Sequence, residues 1–217
     1  MIAEPFSIEE ATTKMSANIA RCAVCDANRT SSLYCPACAT LTIPQRGAST
    51  YFEILGLPIT HAVDSADVAK RHLELARAIH PDRMARTEFA ADAVRAAALL
   101  NEAKATLESP TARAEYLLQL HGGPRSDENK TVPPELLGET LELREQIDDA
   151  RAADDLESLA TIRKDVLVAA EANLSVIHNL ALELPGDESI RYQLRVGLNA
   201  QRYYDRLIEY ADGKREM

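Results

Sequence analysis

Apolar side chains recur every three or four residues along most of this chain, the spacing of one face of an α-helix. The pattern predicts a short helix within STYFEILGLP and a second helix from about 65 to 79. Further helices are predicted near 88–107, 109–121, 134–151, 154–183 and 187–211. No strand pattern is longer than the cysteine-containing stretch, so we predict an all-α fold.

Capping and stop signals set the expected ends of several helices. Ser49 or Thr50 can cap the first helix, and Gly56 ends it. Ser109 can cap the helix that has Pro110 at its first position. The second helix must stop at His80, because the residue before a proline avoids the α region. The stretch PDRMART, residues 81–87, is therefore predicted to be an exposed loop.

The same periodicity predicts which side chains are buried. In the second helix the core stripe is predicted to be Val68, His72, Leu75 and Ile79. In the third helix it is Val94, Ala98, Leu100, Ala105 and Leu107. In the long helix at 154–183 it is Leu159, Ile162, Val166, Ala169, Val176 and Leu180.

These elements suggest five segments. The second and third helices are expected to form an antiparallel pair within a domain at 49–121. A polar, proline-bounded linker follows at 122–133, and the last three helices make an antiparallel bundle at 134–211. A small cysteine-containing module precedes them at 19–42. The N-terminal tail, 1–18, is expected to be disordered.

All four cysteines lie in CAVCDANRTSSLYCPAC, a C-x2-C-x9-C-x2-C pattern of Cys22, Cys25, Cys35 and Cys38. Two CxxC turns can each offer two thiolates to one tetrahedral ion. The alternatives are two disulfides or free thiols, and a reducing compartment argues against disulfides. We predict a structural zinc site in preference to iron, because four thiolates close the coordination shell and nothing suggests electron transfer.

Composition and charge narrow the function. The chain has 217 residues and a net charge of −10, and the segment 134–217 holds 18 acids and 10 bases. An acidic chain is a poor general binder of nucleic acid. No apolar run reaches the ~18 residues of a membrane span. The acidic N-terminus fits neither a secretory signal nor a usual presequence, so we expect a cytoplasmic protein, or one in the mitochondrial matrix if the source is eukaryotic.

An imidazole and a carboxylate flank a proline at His80, Pro81 and Asp82. A catalytic pair is one interpretation, but no nucleophile lies near them in sequence and no glycine-rich phosphate loop exists. The other interpretation is a rigid exposed turn that grips a partner, because a proline-stiffened turn loses little entropy on binding. We expect no enzyme.

The context of His-Pro-Asp is specific. A YFEILGL helix, a helix with basic residues, HPD at the tip and a long helix ending in LNEAKATLESPTAR together resemble a J-domain. J-domains are co-chaperones that stimulate ATP hydrolysis by chaperones of the DnaK class. The resemblance implies that chaperone contacts come from His80, Pro81, Asp82, Lys70, Arg71, Arg77 and Arg83. Arg83 stands where many J-domains carry lysine, and it keeps the charge.

RAEYLLQLHG at 113–122 and LGETLELREQIDDA at 137–150 resemble the HscB family, the Jac-type co-chaperones of iron–sulfur cluster assembly. In that family a J-domain is joined to a three-helix bundle that binds the IscU-type scaffold protein. Some members also carry an N-terminal four-cysteine module. The resemblance implies an ATP-driven partner of the DnaK/HscA class, a scaffold partner and, as a further possibility, a homodimer.

The resemblance also implies a scaffold-binding surface. Carried over by motif, its residues are Leu137, Leu141, Glu142, Glu145, Arg144 and, on the last helix, Val196. Two leucines beside two glutamates fit an apolar anchor with a polar rim. Residues 137 and 141 could equally be core positions of the bundle. Gly138 departs from the bulky residue that the family often has there, and Gly197 lies beside Val196.

Three other functions stay open at this point. The chain could be a general J-domain co-chaperone for other protein clients, and a broad exposed apolar groove would favour that role. It could be a metal-dependent enzyme that uses His80 and Asp82. It could be a zinc-linked nucleic-acid adaptor, for which binding that persists at moderate salt would be required.

Overall fold

The computed structural model describes residues 19, 21–45 and 47–214. The predicted tail at 1–18 lies outside the described residues. The described part of the chain contains these helices: α1 Tyr51–Leu55, α2 Ser65–Ala78, α3 Pro81–Met84, α4 Ala90–Glu108, α5 Pro110–Leu120, α6 Pro134–Ala152, α7 Leu156–Leu182 and α8 Glu188–Ala211. Apart from one isolated β-bridge between Tyr34 and Leu41, these residues form no extended pairing. The predicted all-α class is confirmed.

No helix among the described residues has the length and apolar character needed to cross a membrane. The chain forms two compact units that divide between Arg113 and Ala114, inside α5. This division lies upstream of the expected linker at 122–133, which contains no helix. The functional domain boundaries remain predictions.

The first unit is built on α1, α2 and α4, which pack together. Ser65 at the start of α2 donates a hydrogen bond to the carbonyl of Glu108 at the end of α4, 3.2 Å away, so the two helices run antiparallel. α1 begins with a capping box between Thr50 and Glu53, so Thr50 is the cap of the two that the sequence allows, and it ends at Gly56 in the left-handed conformation. The core residues contributed by α1 are Phe52, Ile54 and Leu55.

The second unit packs α6, α7 and α8 against one another. The C-terminal part of α5 joins their core. The buried cluster there consists of Ala114, Leu118, Ile177, Ala181, Leu194 and Leu198. The segment between α5 and α6 is tied to α8, because Arg195 donates to the carbonyl of Pro124 over 2.9 Å.

The prediction of a loop at 81–87 is wrong for its first four residues, because Pro81–Met84 form a short helix. His80 is its N-cap, and its Nδ1 accepts a hydrogen bond from the backbone N–H of Asp82. Proline at the first helical position has a φ already suited to a helix and lacks only an N–H that would go unused. The buried side chain of Met84 anchors the turn.

Two predicted core stripes are right at Leu100, Leu107 and Val166 but wrong at other positions. In α4, Val94 is 61% exposed, and Ala98 and Ala105 are exposed as well. The buried residues of α4 are Ala93, Ala96, Leu100, Ala103 and Leu107. In α7, Val176 is 52% exposed, while the buried residues are Val166, Ala170, Ile177 and Ala181. Both helices have adjacent apolar residues, so periodicity alone allows two registers.

Candidate metal centre and partner-binding surfaces

The four cysteines converge at one point of the first unit. Their sulfur atoms all lie within 4.8 Å of one another. Cys22 Sγ is 3.6 Å from Cys38 Sγ, and Cys25 Sγ is 3.7 Å from Cys35 Sγ, with no disulfide. A tetrahedral ion with metal–sulfur bonds of about 2.3 Å places its ligands about 3.8 Å apart. The sulfurs are therefore positioned to bind a metal ion.

The two CxxC turns have the same backbone geometry. The residue after each second cysteine, Asp26 or Ala39, has a positive φ of 57°. The N–H of Cys22 donates to the carbonyl five residues on, at Ala27, and the N–H of Cys35 does the same to Thr40. Each turn is thus folded back on itself, which directs both of its sulfurs to one side.

The surroundings of Cys38 and Cys25 shift the pKa values of these two thiols in opposite directions. The Thr40 hydroxyl and backbone N–H lower the pKa of Cys38 to about 6. The backbone N–H of Ala27 lowers the pKa of Cys25, but its neighbouring thiols and burial outweigh that effect and raise it to about 12. Four thiolates this close repel one another. A bound cation removes that repulsion, which is the chemistry of a closed, four-thiolate structural site.

The cysteine module is attached to the end of α1. Ser31 Oγ donates to the carbonyl of Ile54 over 2.6 Å, and the N–H of Ser32 donates to the carbonyl of Glu53 over 2.9 Å. These carbonyls lie in the last turn of α1, where a helix leaves its acceptors without internal partners. Leu33, fully buried, follows the two serines. The module therefore completes the C-terminal end of α1.

Arg71 of α2 joins the same contact. Its Nε donates to the carbonyl of Leu55 over 3.1 Å, and its Nη2 donates to the carbonyl of Thr30 over 3.2 Å. Its Nη1 is paired with Glu74 at 2.7 Å, and the side chain is 25% exposed. The sequence missed this role, since nothing in a helical pattern indicates which arginine reaches a neighbouring carbonyl. Of the residues predicted to contact the chaperone, Arg71 is the one whose side chain bonds to both the end of α1 and the cysteine module.

The His-Pro-Asp tip is exposed and held in place. The side chain of His80 is 54% exposed and that of Asp82 is 92% exposed, with 3.7 Å between Nδ1 and the carboxylate. Pro81 fixes the first position of α3. Arg83 is also exposed, and its Nη1 donates to the carbonyl of Arg77 over 3.0 Å. That bond ties the tip to the end of α2.

Lys70 and Arg77 are exposed on α2, as their seven-residue spacing predicts. They lie on the same helix as the start of the His-Pro-Asp segment. Lys70, Arg77 and Arg83 are thus predicted chaperone-binding cations that lie exposed at the surface. The fourth, Arg71, is half-buried. Whether they contact a chaperone stays a prediction.

Leu137 and Leu141 of α6 are exposed at 48% and 59%, so they are surface residues of the bundle. Glu142 and Glu145 are exposed beside them. An added Cβ at Gly138 would meet no atom within 4 Å, so the space between the leucines is open. These residues form a mixed apolar and acidic strip, which we call the α6 strip.

Arg144 and Val196 have more contacts than the α6 strip. Arg144 is half-buried, with its guanidinium carbon 5.8 Å from the ring centre of Tyr210. Val196 is half-buried on α8. Beside it, Gly197 allows close packing, since an added Cβ there would lie 3.2 Å from Ile177. Their predicted part in scaffold binding is untested.

One prediction concerns the metal centre. We expect the purified chain to bind one Co²⁺ or Zn²⁺ per chain, with Co²⁺ giving the sulfur-to-metal absorption of a tetrahedral four-thiolate site. Cys35→Ser should remove a ligand and abolish that absorption. Val24→Ser, which changes an exposed non-ligand of the same turn, should leave it intact. Equal metal content in the wild type and Cys35→Ser would contradict a four-cysteine site.

Comparisons with known proteins agree with this geometry. The family model for the HSCB C-terminal oligomerisation domain matches residues 132–210. The chaperone HscB from Vibrio cholerae is 27% identical, with a TM-score of 0.65 and coverage of 76% of this chain and 96% of that one. The human co-chaperone protein HscB shares the fold at 24% identity, with a TM-score of 0.70 and coverage of 89% and 98%. Residues 132–210 are therefore an HscB C-terminal domain, in a chain that has the HscB chaperone fold and a four-cysteine cluster before it.

Proposed function

We propose that this protein is a co-chaperone of iron–sulfur cluster biogenesis. Its C-terminal bundle binds an IscU-type scaffold, and its J-domain stimulates the ATPase of a DnaK/HscA-class chaperone. The α6 strip carries the proposal: two leucines about half-exposed on a helix of an HscB C-terminal domain. Exposed leucine side chains are stabilised when a partner removes them from water. Leucines beside glutamates therefore suit a partner with an apolar patch and a basic rim.

In this mechanism the protein makes and breaks no covalent bond. The bundle holds the scaffold while His80, Pro81 and Asp82 engage the chaperone. Joining both sites in one chain raises the effective concentration of the scaffold at the chaperone. Lys70 and Arg77 add a positive surface that speeds encounter with an acidic partner. The cysteine cluster holds zinc, which suits four thiolates, and it stabilises the first unit. The setting is the cytoplasm, or the mitochondrial matrix in a eukaryote.

The scaffold proposal is tested by calorimetric titration of the full chain with the IscU-type scaffold of the same organism. Leu137→Ala/Leu141→Ala should weaken binding at least thirtyfold, because burying the two half-exposed leucine side chains in an interface contributes about 2 kcal/mol in total. Circular dichroism should show an unchanged fold, since both side chains are exposed.

The matched control is Val168→Ala/Val176→Ala. It shortens two side chains that are 58% and 52% exposed on α7 of the same bundle, and scaffold affinity should stay within twofold of the wild type. A folded wild type that does not bind the scaffold would leave the general co-chaperone for other clients as the function. Equal losses of scaffold affinity in both double variants would mean that the α6 strip is not the scaffold-binding surface.

The chaperone proposal is tested by the rate of ATP hydrolysis of the DnaK/HscA-class partner. His80→Gln should reduce the stimulation more than tenfold while scaffold affinity is unchanged, because His80 lies in the other compact unit. Lys70→Gln should lower the association rate, and the loss should shrink as salt rises. Arg95→Gln, an exposed change on α4, is the charge control. Full stimulation by His80→Gln would remove the tip from the mechanism and reopen a catalytic role for His80 and Asp82.

A further inference from the structure

The second unit contains a basic pocket that the proposed function does not use. Its lining residues are Ser126, Lys130, Asn199, Arg202, Tyr203 and Arg206, around a cavity of about 290 Å³. The four from α8 are spaced three, four and seven residues apart, so they share one helix face. Three of the lining residues are cations. In the surrounding segment, 134–217, acids outnumber bases. The local charge is opposite to that of the surrounding surface and favours an anion.

Asn199 gives the pocket a polar wall. It is 3% exposed, and its amide N–H groups donate to the carbonyls of Asn129 and Thr131, both 3.0 Å away. Its Oδ1 is buried and accepts no hydrogen bond within the described part of the chain. Buried side-chain acceptors nearly always have a partner. Since both amide hydrogens are already used, Oδ1 can only accept a hydrogen bond, and Asn199 is one of the residues that line the pocket.

The described residues that line the pocket include three cations and no acid, and two nearby acids are engaged by other cations. Glu115 lies 3.3 Å from Arg202 but makes its main ion pair with Arg195. Asp127 is paired with Arg125 at 3.3 Å. Lys130 and Arg206 have exposed side chains. A positive surplus therefore remains at the mouth of the pocket.

The walls are also fixed before any ligand arrives. The N–H groups of Glu128 and Asn129 donate to the carbonyl of Arg125, and they close a turn that leads into Lys130. Asn199 holds the next residues of that segment against α8. A pocket with ordered walls gives up little conformational entropy on binding.

We propose that this pocket binds phosphate, either free or as the monoester of a small hydroxylated molecule. The anionic oxygens contact Lys130, Arg202 and Arg206. A hydroxyl of the ligand, either P–O–H or a neighbouring alcohol, donates to Asn199 Oδ1. The site does not depend on the proposed function, and its failure would leave the co-chaperone proposal untouched.

The test is calorimetric titration of the full chain at pH 7 with inorganic phosphate, glycerol 3-phosphate and sulfate. Sulfate has the shape of phosphate and the charge of its dianion, HPO₄²⁻, but carries no O–H at this pH. We expect phosphate or glycerol 3-phosphate to bind at least tenfold more tightly than sulfate. The tighter of these two probes identifies the free ion or the ester as the form recognised.

Lys130→Gln/Arg206→Gln should weaken that binding at least tenfold. The control Lys164→Gln/Arg95→Gln removes one lysine and one arginine elsewhere on the surface, and it should change the affinity less than twofold. Thermal unfolding would check that each variant folds. Three outcomes would overturn the proposal: sulfate binding as tightly as phosphate, equal losses in both double variants, or no measurable binding of either phosphate probe by the folded wild type.

Discussion

Gly56→Ala should destabilise the first unit by about 4 kcal/mol. Gly56 has a φ of +71°, where an alanine costs about 1–2 kcal/mol. An added Cβ would also lie 1.8 Å from the backbone oxygen of Thr30 and 2.8 Å from Arg71 Nη2. Backbone cannot rotate out of the way as a side-chain tip can, so the cysteine module must shift or detach from α1.

The unfolding of the full chain by urea or heat measures this change. Gly47→Ala is the matched control, because Gly47 has a φ of +79° in the same unit and no atom within 4 Å of an added Cβ. It should cost about 1–2 kcal/mol, the conformational part alone. If the two variants lost the same stability, the contact between residue 30 and the end of α1 would contribute nothing.

Arg195→Met should destabilise the second unit by about 3–5 kcal/mol, the usual cost of removing one member of a buried pair. The Arg195 side chain is fully buried, and its two terminal nitrogens contact both oxygens of Glu115, one at 2.8 Å. Its Nε donates to Pro124. Methionine fills the volume but leaves the carboxylate and that carbonyl without their main partner.

Arg202→Met is the control for this prediction, because Arg202 contacts the same carboxylate at 3.3 Å from a side chain that is 46% exposed. An exposed pair of this kind is worth under about 1 kcal/mol. Equal losses from the two variants would mean that burial does not decide the strength of these pairs.

The pH dependence of stability gives an independent reading. Burial raises the pKa of Glu115, but the hydrogen bond and charge of Arg195 outweigh it and hold that pKa below its usual value. A carboxyl with a lowered pKa adds stability above its unfolded value of about 4.3, and that stability is lost as pH falls through the folded pKa. In Arg195→Met both effects of Arg195 are lost, and only the smaller effects of Gln119 and Arg202 still oppose burial, so the pKa rises. The deficit of the variant should therefore be larger at pH 7 than at pH 3.

Short-range signals in the sequence determined much of this protein. Two CxxC turns predicted the metal cluster, because a tetrahedral site needs only four thiolates at the ends of two tight turns. Ser49 or Thr50 predicted the start of α1 and Gly56 its end, and Ser109 with Pro110 predicted the start of α5. Spacings of three and four predicted the helices themselves.

Only the tertiary structure decided which side of each helix is buried where apolar residues are adjacent. The choice of Ile177 over Val176 depends on what α8 presents to α7, and the periodicity of one helix contains no information about the surface of another. The same holds for Leu137 and Leu141, which the sequence allowed as core and the structure exposes.

The least predictable features are contacts between segments far apart in the chain. Arg71 with Thr30, Arg195 with Glu115 and Asn199 with Thr131 span from 41 to 80 residues. A helical pattern indicates that a polar residue is present, but its partner depends on how the segments pack. The sequence therefore determined the helices, the cysteine turns and the exposed tip, while packing decided which polar side chains became structural and which stayed available to a partner, because burial removes the water that would otherwise satisfy them.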